Sequence, residues 1–437
     1  MQFSSIDSCS NIEEMIQVRK PKLILDPILG VIEVTEILPL IDVKEFQLLG
    51  FKHQLGLNSM IFPAATHTRK QHSLGAYKRT RRLARDWLDY GFINQEEAKA
   101  LQVYALYHDI GHGPFSHVTE SLGKVDHDKR GLQMVENLKE KIESVGCNYN
   151  LVHDFFSRKN KLYLAVFDKN LGMEKLDYLE RDSFYTIGER PGVEYLAKHI
   201  YFIDSDVVID EVAIDSAKAI QDFYIKMSKN VYLRKKSSIL QRLIEKMTIL
   251  LMADGLTEEE LFGLTDFGLL GRFETSSNKL LRFYHQNFIH GVFPKLALEF
   301  KYSSRATEGD LSYKSLKVMG LKDEVLDKLL SSSHITDFKS LEALEKNLAK
   351  LANIPEEALI VIPPFSKERF DPQDIKVYSR EGRTRMLSEI YPNHFQAMKE
   401  YGRSHLSLKI CVLEKYRKAL YDQAEKVRDY LIELITS

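Results

Sequence analysis

The chain has 437 residues, 44% of them hydrophobic and 28% charged, which lies in the ordinary globular range. Its formal net charge of -1 excludes a global attraction to nucleic acid or to acidic membranes, so any site for a polyanion must be local. The three cysteines, Cys9, Cys147 and Cys411, are far apart and form no CxxC pair, which excludes a disulfide framework and a cysteine zinc site and fits a reducing compartment.

The opening residues lack the charged-then-apolar design of a signal peptide, and no apolar run approaches the length of a membrane span. The expected location is therefore the cytoplasm, with no membrane partner. Along the chain, "KLILDPILGVIEVTEILPLI" mixes β-branched residues with Pro27 and Gly30 and predicts a short hairpin-like entry. "SLGAYKRTRRLARDWLDYGF" alternates basic and apolar residues at near-helical spacing. "NQEEAKALQVYALYH" has Asn94 as N-cap and Glu97 three residues on, and its apolar positions surround the axis, so it reads as a core helix closed by His108 and Asp109. Residues 216–253 read as one long helical stretch, and "LTEEELFGL" opens another helix at Thr257. "ALIVIPPF" and "DIKVYSREG" predict two short strands around Pro363, Pro364 and a polar loop, hence a small β-containing insertion. The tail, residues 405–435, returns to amphipathic helix. No repeat, low-complexity segment or Gly/Ser-rich linker stands out.

The chemistry is concentrated in "YHDIGHGPFSH", residues 107–117. Imidazole and carboxylate together suit Fe, Mn, Ni, Zn and similar divalent ions, and an adjacent His108-Asp109 pair offers two ligands from one helix end. More ligands must come from elsewhere: "THTRKQHSLG" supplies His67 and His72 upstream, and "GMEKLDYLERD" supplies Glu174, Asp177 and Asp182 downstream. Gly111, Gly113 and Pro114 end the helix and let the backbone turn, which would aim His112 and His117 into one cleft. Histidines beside a metal are natural proton donors and acceptors near neutral pH.

These three blocks together resemble the HD superfamily of metal-dependent phosphohydrolases, and within it the deoxynucleoside triphosphate triphosphohydrolases. The resemblance runs from about residue 26 to about residue 247, with a weaker echo around residues 363–390. It implies a mainly α-helical HD-domain fold with a small β-containing C-terminal region. It implies a divalent cofactor (Mn, Mg, Fe, Co, Ni or Zn) on His72, His108, Asp109 and Glu174, where glutamate stands in place of the family's last aspartate; Asp168 and Asp177 are the substitutes. His112 would be the catalytic acid/base, assisted by His127, with Asp109 part of the same machinery. Arg69, Lys175 and His117 would contact phosphates, Gln54 and Leu55 would read the 3'-hydroxyl and crowd out a 2'-hydroxyl, and Tyr178, Asp182 and Tyr232 would face sugar and base.

The expected reaction is hydrolysis of a deoxynucleoside triphosphate to deoxynucleoside and inorganic triphosphate. A homo-oligomer and an activating nucleotide are implied by resemblance alone. Two rivals remain: an HD-type nuclease or phosphodiesterase, and a catalytically degenerate nucleotide sensor. Nucleic-acid binding through the basic segments at residues 79–85 and 226–236 is a further, less favoured reading. The expected division is an HD domain over residues 1–300 and a C-terminal α+β region over 301–437 that ends in a long helix.

Overall fold

The computed structural model describes residues 20–304, 309–363 and 373–436, with the side chain of His117 excepted; Cys9, the opening residues and Pro364 lie outside the described residues. The structure is mainly α, 61% helical, with a small two-stranded hairpin and two larger sheets.

The hairpin-like entry is a two-residue-per-face antiparallel pair, β1 (Leu23–Asp26) and β2 (Gly30–Glu33), with Leu25 opposite Val31. Gly30 has φ 72°, the left-handed region that a glycine enters without strain. Two long helices follow. In α1 (Arg69–Asp89) Thr68 and Gln71 form a capping box, and in α2 (Gln95–Tyr107) Asn94 and Glu97 do the same. Each box satisfies amide donors that a helix start otherwise leaves open. The two helices pack along one another, and α4 (Met173–Thr186), after the shorter α3 (His127–Asn137), lies across α1. Trp87, Tyr104, Leu106, Phe155 and Leu176 fill the space between them.

The stretch at 216–253 is not one helix. It is α5 (Ile214–Met227), a π turn at Ser228–Tyr232, and α6 (Lys235–Ala253), which begins after the extended Arg234. The widened turn lets the chain change direction while keeping Val231 buried and turning Tyr232 towards α4. Thr257 caps the next short helix as its box with Glu260 predicts.

The two predicted strands exist but part company. β8 (Leu359–Ile362), buried throughout, is an edge of a five-stranded sheet in the order β6-β7-β5-β11-β8, where β5 is Lys295–Tyr302, β6 Gly309–Leu311, β7 Leu316–Leu321 and β11 Leu408–Val412. β9 (Lys376–Tyr378) instead joins a four-stranded sheet, β10-β9-β4-β3, with β3 at Ile200–Ile203, β4 at Asp206–Asp210 and β10 at Thr384–Met386. Its parallel pairing with β4 returns residues 373–386 to the helical half. The expected helical tail also changes: residues 408–412 are a strand paired on both sides, and helix resumes only at residue 417. "LKICV" is a short apolar run with β-branched residues, and burial on both faces removes the alternation that would have marked it as a strand.

Candidate metal centre and adjoining pocket

The N-terminal turn of α1 and the C-terminal end of α2 meet at three buried groups. His72, one turn into α1, and His108, the cap of α2, point their Nε2 atoms at each other across 3.2 Å. His108 donates from Nδ1 to the carbonyl of Ala105 at 2.8 Å, and His72 from Nδ1 to Asp177 Oδ2 at 2.9 Å. Each ring thereby commits its proton outward and keeps its Nε2 lone pair facing inward. Two lone pairs at that separation repel unless a proton or a cation lies between them. Asp109 adds an oxygen, Oδ1 lying 3.4 Å from His108 Nε2 and Oδ2 3.9 Å from His72 Nε2. The ligand atoms of His72, His108 and Asp109 lie within 4.8 Å of one another. The donor set of two nitrogens and one carboxylate oxygen fits a divalent transition metal, so these three residues are positioned to hold one.

Burial holds the His108 imidazole down at about 4. Burial also opposes charge on His72, but its hydrogen bond to Asp177 and the neighbouring Asp109 outweigh that and raise it. At Asp109 burial favours the neutral form, yet Arg69, His108 and His112 keep the carboxyl well below its ordinary value. The result is a neutral His108 and an ionised Asp109 at a closed cluster, beside a His72 whose carboxylate neighbours strengthen its hold on a proton.

Behind His72 stands a chain of charges that sequence reasoning did not assign. Asp177 accepts from Arg181 Nε at 2.9 Å and from its Nη2 at 3.1 Å, and Arg181 Nη1 donates to Asp26 Oδ2 at 2.7 Å. Asp177 is thus the outer carboxylate that orients His72. The signal for it was the spacing: Asp177 and Arg181 are i, i+4 on α4, a pair that meets on one helix face. Gly75 is required beside them, since a Cβ there would lie 2.1 Å from Asp177 Oδ1.

Glu174 lies in the first turn of α4 and is half-buried, outside the closed three-ligand group. Burial pushes its carboxyl up to about 7, His72 opposes that, and Asp109 adds to it. Asp168 accepts instead from the amides of Asn170 and Leu171, shaping a turn.

The loop after Asp109 folds as the glycines require. A Cβ at Gly111 would meet the carbonyl of His127 at 2.1 Å, so the loop and the start of α3 touch backbone to backbone. This contact stacks the rings of His112 and His127, centroids 4.0 Å apart and 14° from parallel. His112 Nε2 lies 3.2 Å from Asp109 Oδ1, and His127 Nδ1 hydrogen-bonds Glu120. Burial and then Arg69 and His127 lower His112 well below the ordinary histidine value, whereas the Glu120 hydrogen bond overcomes burial at His127 and raises it. A proton acceptor and a proton carrier therefore lie face to face beside Asp109. The side chain of His117 lies outside the described residues.

Arg69 links this centre to a pocket. Its Nη1 donates to Asp109 Oδ2 at 2.6 Å and its Nε to Ser116 Oγ at 2.5 Å. Ser116 holds φ 49° and Phe115 φ 50°, a strained pair of non-glycine residues. Asp266, which sequence reasoning missed, fixes that conformation: its Oδ1 accepts from the Phe115 amide at 2.7 Å and its Oδ2 from the His53 amide at 2.8 Å. Ser116, Gln54, Leu55 and Tyr232 line one small pocket, and the buried Gln54 Oε1 has no hydrogen-bond partner among the described residues. Tyr232 donates to Asp182 Oδ2 at 2.9 Å, and Asp182 Oδ1 pairs with His67 Nε2 at 2.8 Å, giving His67 a role that the sequence did not reveal. Tyr178 stands edge-on to His72 with ring centroids 6.3 Å apart. Lys175 alone turns aside: its Nζ donates to the carbonyl of Lys169 at 2.5 Å and sits 4.2 Å over the Tyr224 ring.

A family model described as "HD domain" matches residues 69–180, the span that supplies His72, His108 and Asp109. Residues 69–180 are an HD domain. Among curated proteins, the chain is similar to HD domain-containing protein L394 of Acanthamoeba polyphaga mimivirus, 34% identical over 36% of this chain and 41% of that protein. It is also similar to the deoxynucleoside triphosphate triphosphohydrolase SAMHD1 homolog of Dictyostelium discoideum, 26% identical over 86% of this chain and 76% of that one. The match thus spans about two-fifths of the viral relative's length and about three-quarters of the amoebal one's. Among solved structures, a phosphohydrolase from Bacteroides thetaiotaomicron superimposes with TM-score 0.68 at 22% identity, over 90% of this chain and 99% of that chain, which establishes the shared fold. No helix among the described residues is long and apolar enough to cross a membrane.

Proposed function

We propose that the HD domain hydrolyses deoxynucleoside triphosphates to deoxynucleoside and inorganic triphosphate. The observation that carries this reading is the link made by Arg69, which bridges the ligand Asp109 to Ser116 at the wall of the Gln54–Leu55–Tyr232 pocket. A metal-ligand cluster thus adjoins a pocket whose buried amide oxygen is unsatisfied, and a sugar hydroxyl is the group that would satisfy Gln54 Oε1. The similarity to the Dictyostelium deoxynucleoside triphosphate triphosphohydrolase homolog supports the same substrate class.

In this reading His72, His108 and Asp109 hold a divalent metal, with Glu174 as the fourth ligand. When bound, the metal polarises the phosphate and lowers the pKa of water. Water oxygen adds to the α-phosphorus as the bond to O5' breaks, and O5' must leave with a proton. The stacked His112 and His127 provide that proton, with Glu120 holding His127 in its charged form. Arg69 neutralises phosphate charge with its forked donors, and His117 and Lys175 contribute from either side, Lys175 after leaving the Lys169 carbonyl. Leu55 crowds the position of a 2'-hydroxyl, while Tyr178, Asp182 and Tyr232 line the sugar and base. The chain acts as a homo-oligomer, with activation by a nucleotide.

The test is chromatography of each dNTP after incubation with protein supplied in turn with Mn, Mg, Fe, Co, Ni or Zn, alone and with GTP present. Release of deoxynucleoside and triphosphate by the wild type and not by a His108→Ala/Asp109→Ala variant is the expected result. Intact dNTPs in every arm sink the proposal, and cleavage of an internal phosphodiester in a single-stranded oligonucleotide would assign the centre to a nuclease.

A further inference from the structure

A cavity of about 400 Å³ lies on the other side of α1 from the metal ligands, under the β1–β2 hairpin. That is the size class of small-molecule sites. Its floor is one face of α1, where Lys78, Arg81, Arg82 and Arg85 follow one another at the i, i+3, i+4 and i+7 positions that share a side of a helix. Like charges at those spacings repel, and among the described residues the only carboxylate in the cavity wall is Glu33, whose Oε2 lies 4.0 Å from Arg81. This concentration of positive charge occurs in a chain whose net charge is -1.

The four cations are not equally committed. Lys78 is tied to the carbonyls of Leu29 and Val31 and so braces the hairpin over the cavity. Arg82 pairs with Glu194 at 2.8 Å. Arg81 is held loosely, 3.4 Å from the Glu33 carbonyl and 4.0 Å from its carboxylate, with the Tyr77 hydroxyl beside it, and the exposed Arg85 has no hydrogen-bond or ion-pair partner among the described residues. Burial and the adjacent Arg82 hold Lys78 below the ordinary lysine range, the direction expected where a cation cluster lacks an anion.

Across from these cations the wall is neutral. Gln95 and Gln102 bring side-chain amides, and Leu88 and Ala98 bring apolar surface. Residues 78 to 85 cover about 10 Å of helix axis, so the charges are strung along a line and not gathered at a point. A single carboxylate would neutralise one of them; a chain of phosphates would follow the row.

We propose that the cavity between the β1–β2 hairpin and α1 is a second binding site, separate from the metal centre, for a small ligand bearing a polyphosphate chain, either free or carried by a nucleoside. Arg85 supplies free charge and Arg81 the most loosely held of the rest, and the amides of Gln95 and Gln102 face whatever the phosphates carry. No residue of the cavity wall belongs to the metal cluster or to the Gln54 pocket, so this site stands or falls independently of the hydrolytic reading.

Calorimetric titration of the full-length, metal-loaded protein with inorganic tripolyphosphate and with ATP tests it. Three proteins are compared: wild type, Arg81→Glu/Arg85→Glu, and His108→Ala/Asp109→Ala. The expected result is binding in the wild type and in the metal-site variant, weakened about tenfold or more in the charge-reversed variant. An Arg81→Lys/Arg85→Lys variant, which keeps the charge, should retain binding, and circular dichroism checks that all variants are folded. Binding of ATP alone assigns the nucleoside-borne source, and comparable binding of both probes assigns the phosphate chain by itself. Equal binding by wild type and the charge-reversed variant overturns the proposal, as does no binding of either probe. Binding of a single-stranded oligonucleotide that neither probe displaces would assign the row of cations to nucleic acid and also overturn it.

Discussion

The helical half and the C-terminal sheet bury different kinds of side chain. Up to Asp266 the described core holds many polar and charged groups, from Asp26 through His67, Arg69, His72, His108, Asp109, Asp177, Arg181 and Asp182; beyond it the only buried polar side chains are Glu345 and Ser407. The sheet half is packed by residues such as Leu298, Phe300, Leu329, Leu348 and Ile410. Burying charge costs free energy that apolar packing does not, and a pair recovers that cost only with good geometry. A domain that needed only to fold would look like the sheet half. The helical half keeps its buried charges in a connected path from the hairpin through Arg181 and Asp177 to His72, which is the arrangement of a site that fixes its groups before any ligand arrives. Glu345 marks the seam: on α7 (Phe338–Leu351) of the sheet half, it accepts from Arg242 and Lys246 of α6.

The strongest way to break this comparison is Arg181→Ala. It strands Asp177 and Asp26, both buried, without their shared cation, and should cost about 3–5 kcal/mol in urea unfolding. Because Asp177 orients His72, metal affinity should also fall by about 10–100-fold. A loss below about 1 kcal/mol would mean that the charge path is not what holds the helical half. Ile410→Ala provides the matched cut in the sheet half. Ile410 is fully buried on β11 between two strands, so its truncation should cost about 3 kcal/mol by cavity formation. Its dNTP hydrolysis per folded molecule should match the wild type. Parallel loss of turnover and stability would show that the sheet half takes part in the chemistry.

The helical half was the more legible in sequence because its signals are local. Capping boxes at Thr68, Asn94 and Thr257 and the His108-Asp109 pair each fit within a few residues, and the hairpin has its turn glycine. The centre could be assembled because three short blocks carry unusual residue types at fixed positions. What stayed hidden depended on distance along the chain: Asp266 reaches His53 across 213 residues, and His67 finds Asp182 across 115. A carboxylate at such a separation looks like any solvated one. β11 was hidden for the opposite reason, since a strand buried at every position but Lys409 has too little polar face to set a period of two. Residues 216–253 kept helical character on both sides of the π turn, and nothing in "SKNVY" marks the extra residue that widens it.

Asp266→Ala tests the edge of the polar region. The amides of His53 and Phe115 would lose their acceptor, and Phe115 and Ser116 would lose the contact that holds them at positive φ. The expected cost is about 1–3 kcal/mol. Because the same loop carries Ser116 to Arg69, KM for a dNTP should rise more than kcat falls, whereas a purely structural residue would leave both unchanged in the folded fraction.

The smallest effect is a difference in protection between two thiols, one in each half. Cys147 packs in the helical core and Cys411 in the sheet, and burial pushes their thiols up to about 11 and about 12. Neither forms thiolate in the folded state at pH 8, so alkylation there must pass through opening, and its rate relative to the unfolded chain measures the opening free energy. The sign with pH follows from proton counting. Between the ordinary thiol value of 9 and about 11 the folded Cys147 keeps a proton that the unfolded chain has lost, so its contribution to stability is complete below pH 9 and declines as pH rises through that window. Cys411 is fully buried on a strand paired on both sides, whereas Cys147 lies at a turn between short helices with 4% of its surface exposed. Cys411 should therefore label about tenfold or more slowly than Cys147. Mass spectrometry of the alkylated peptides reads both sites in one sample, and equal or faster labelling of Cys411 would place the weaker core in the apolar half, reversing the expected order of opening.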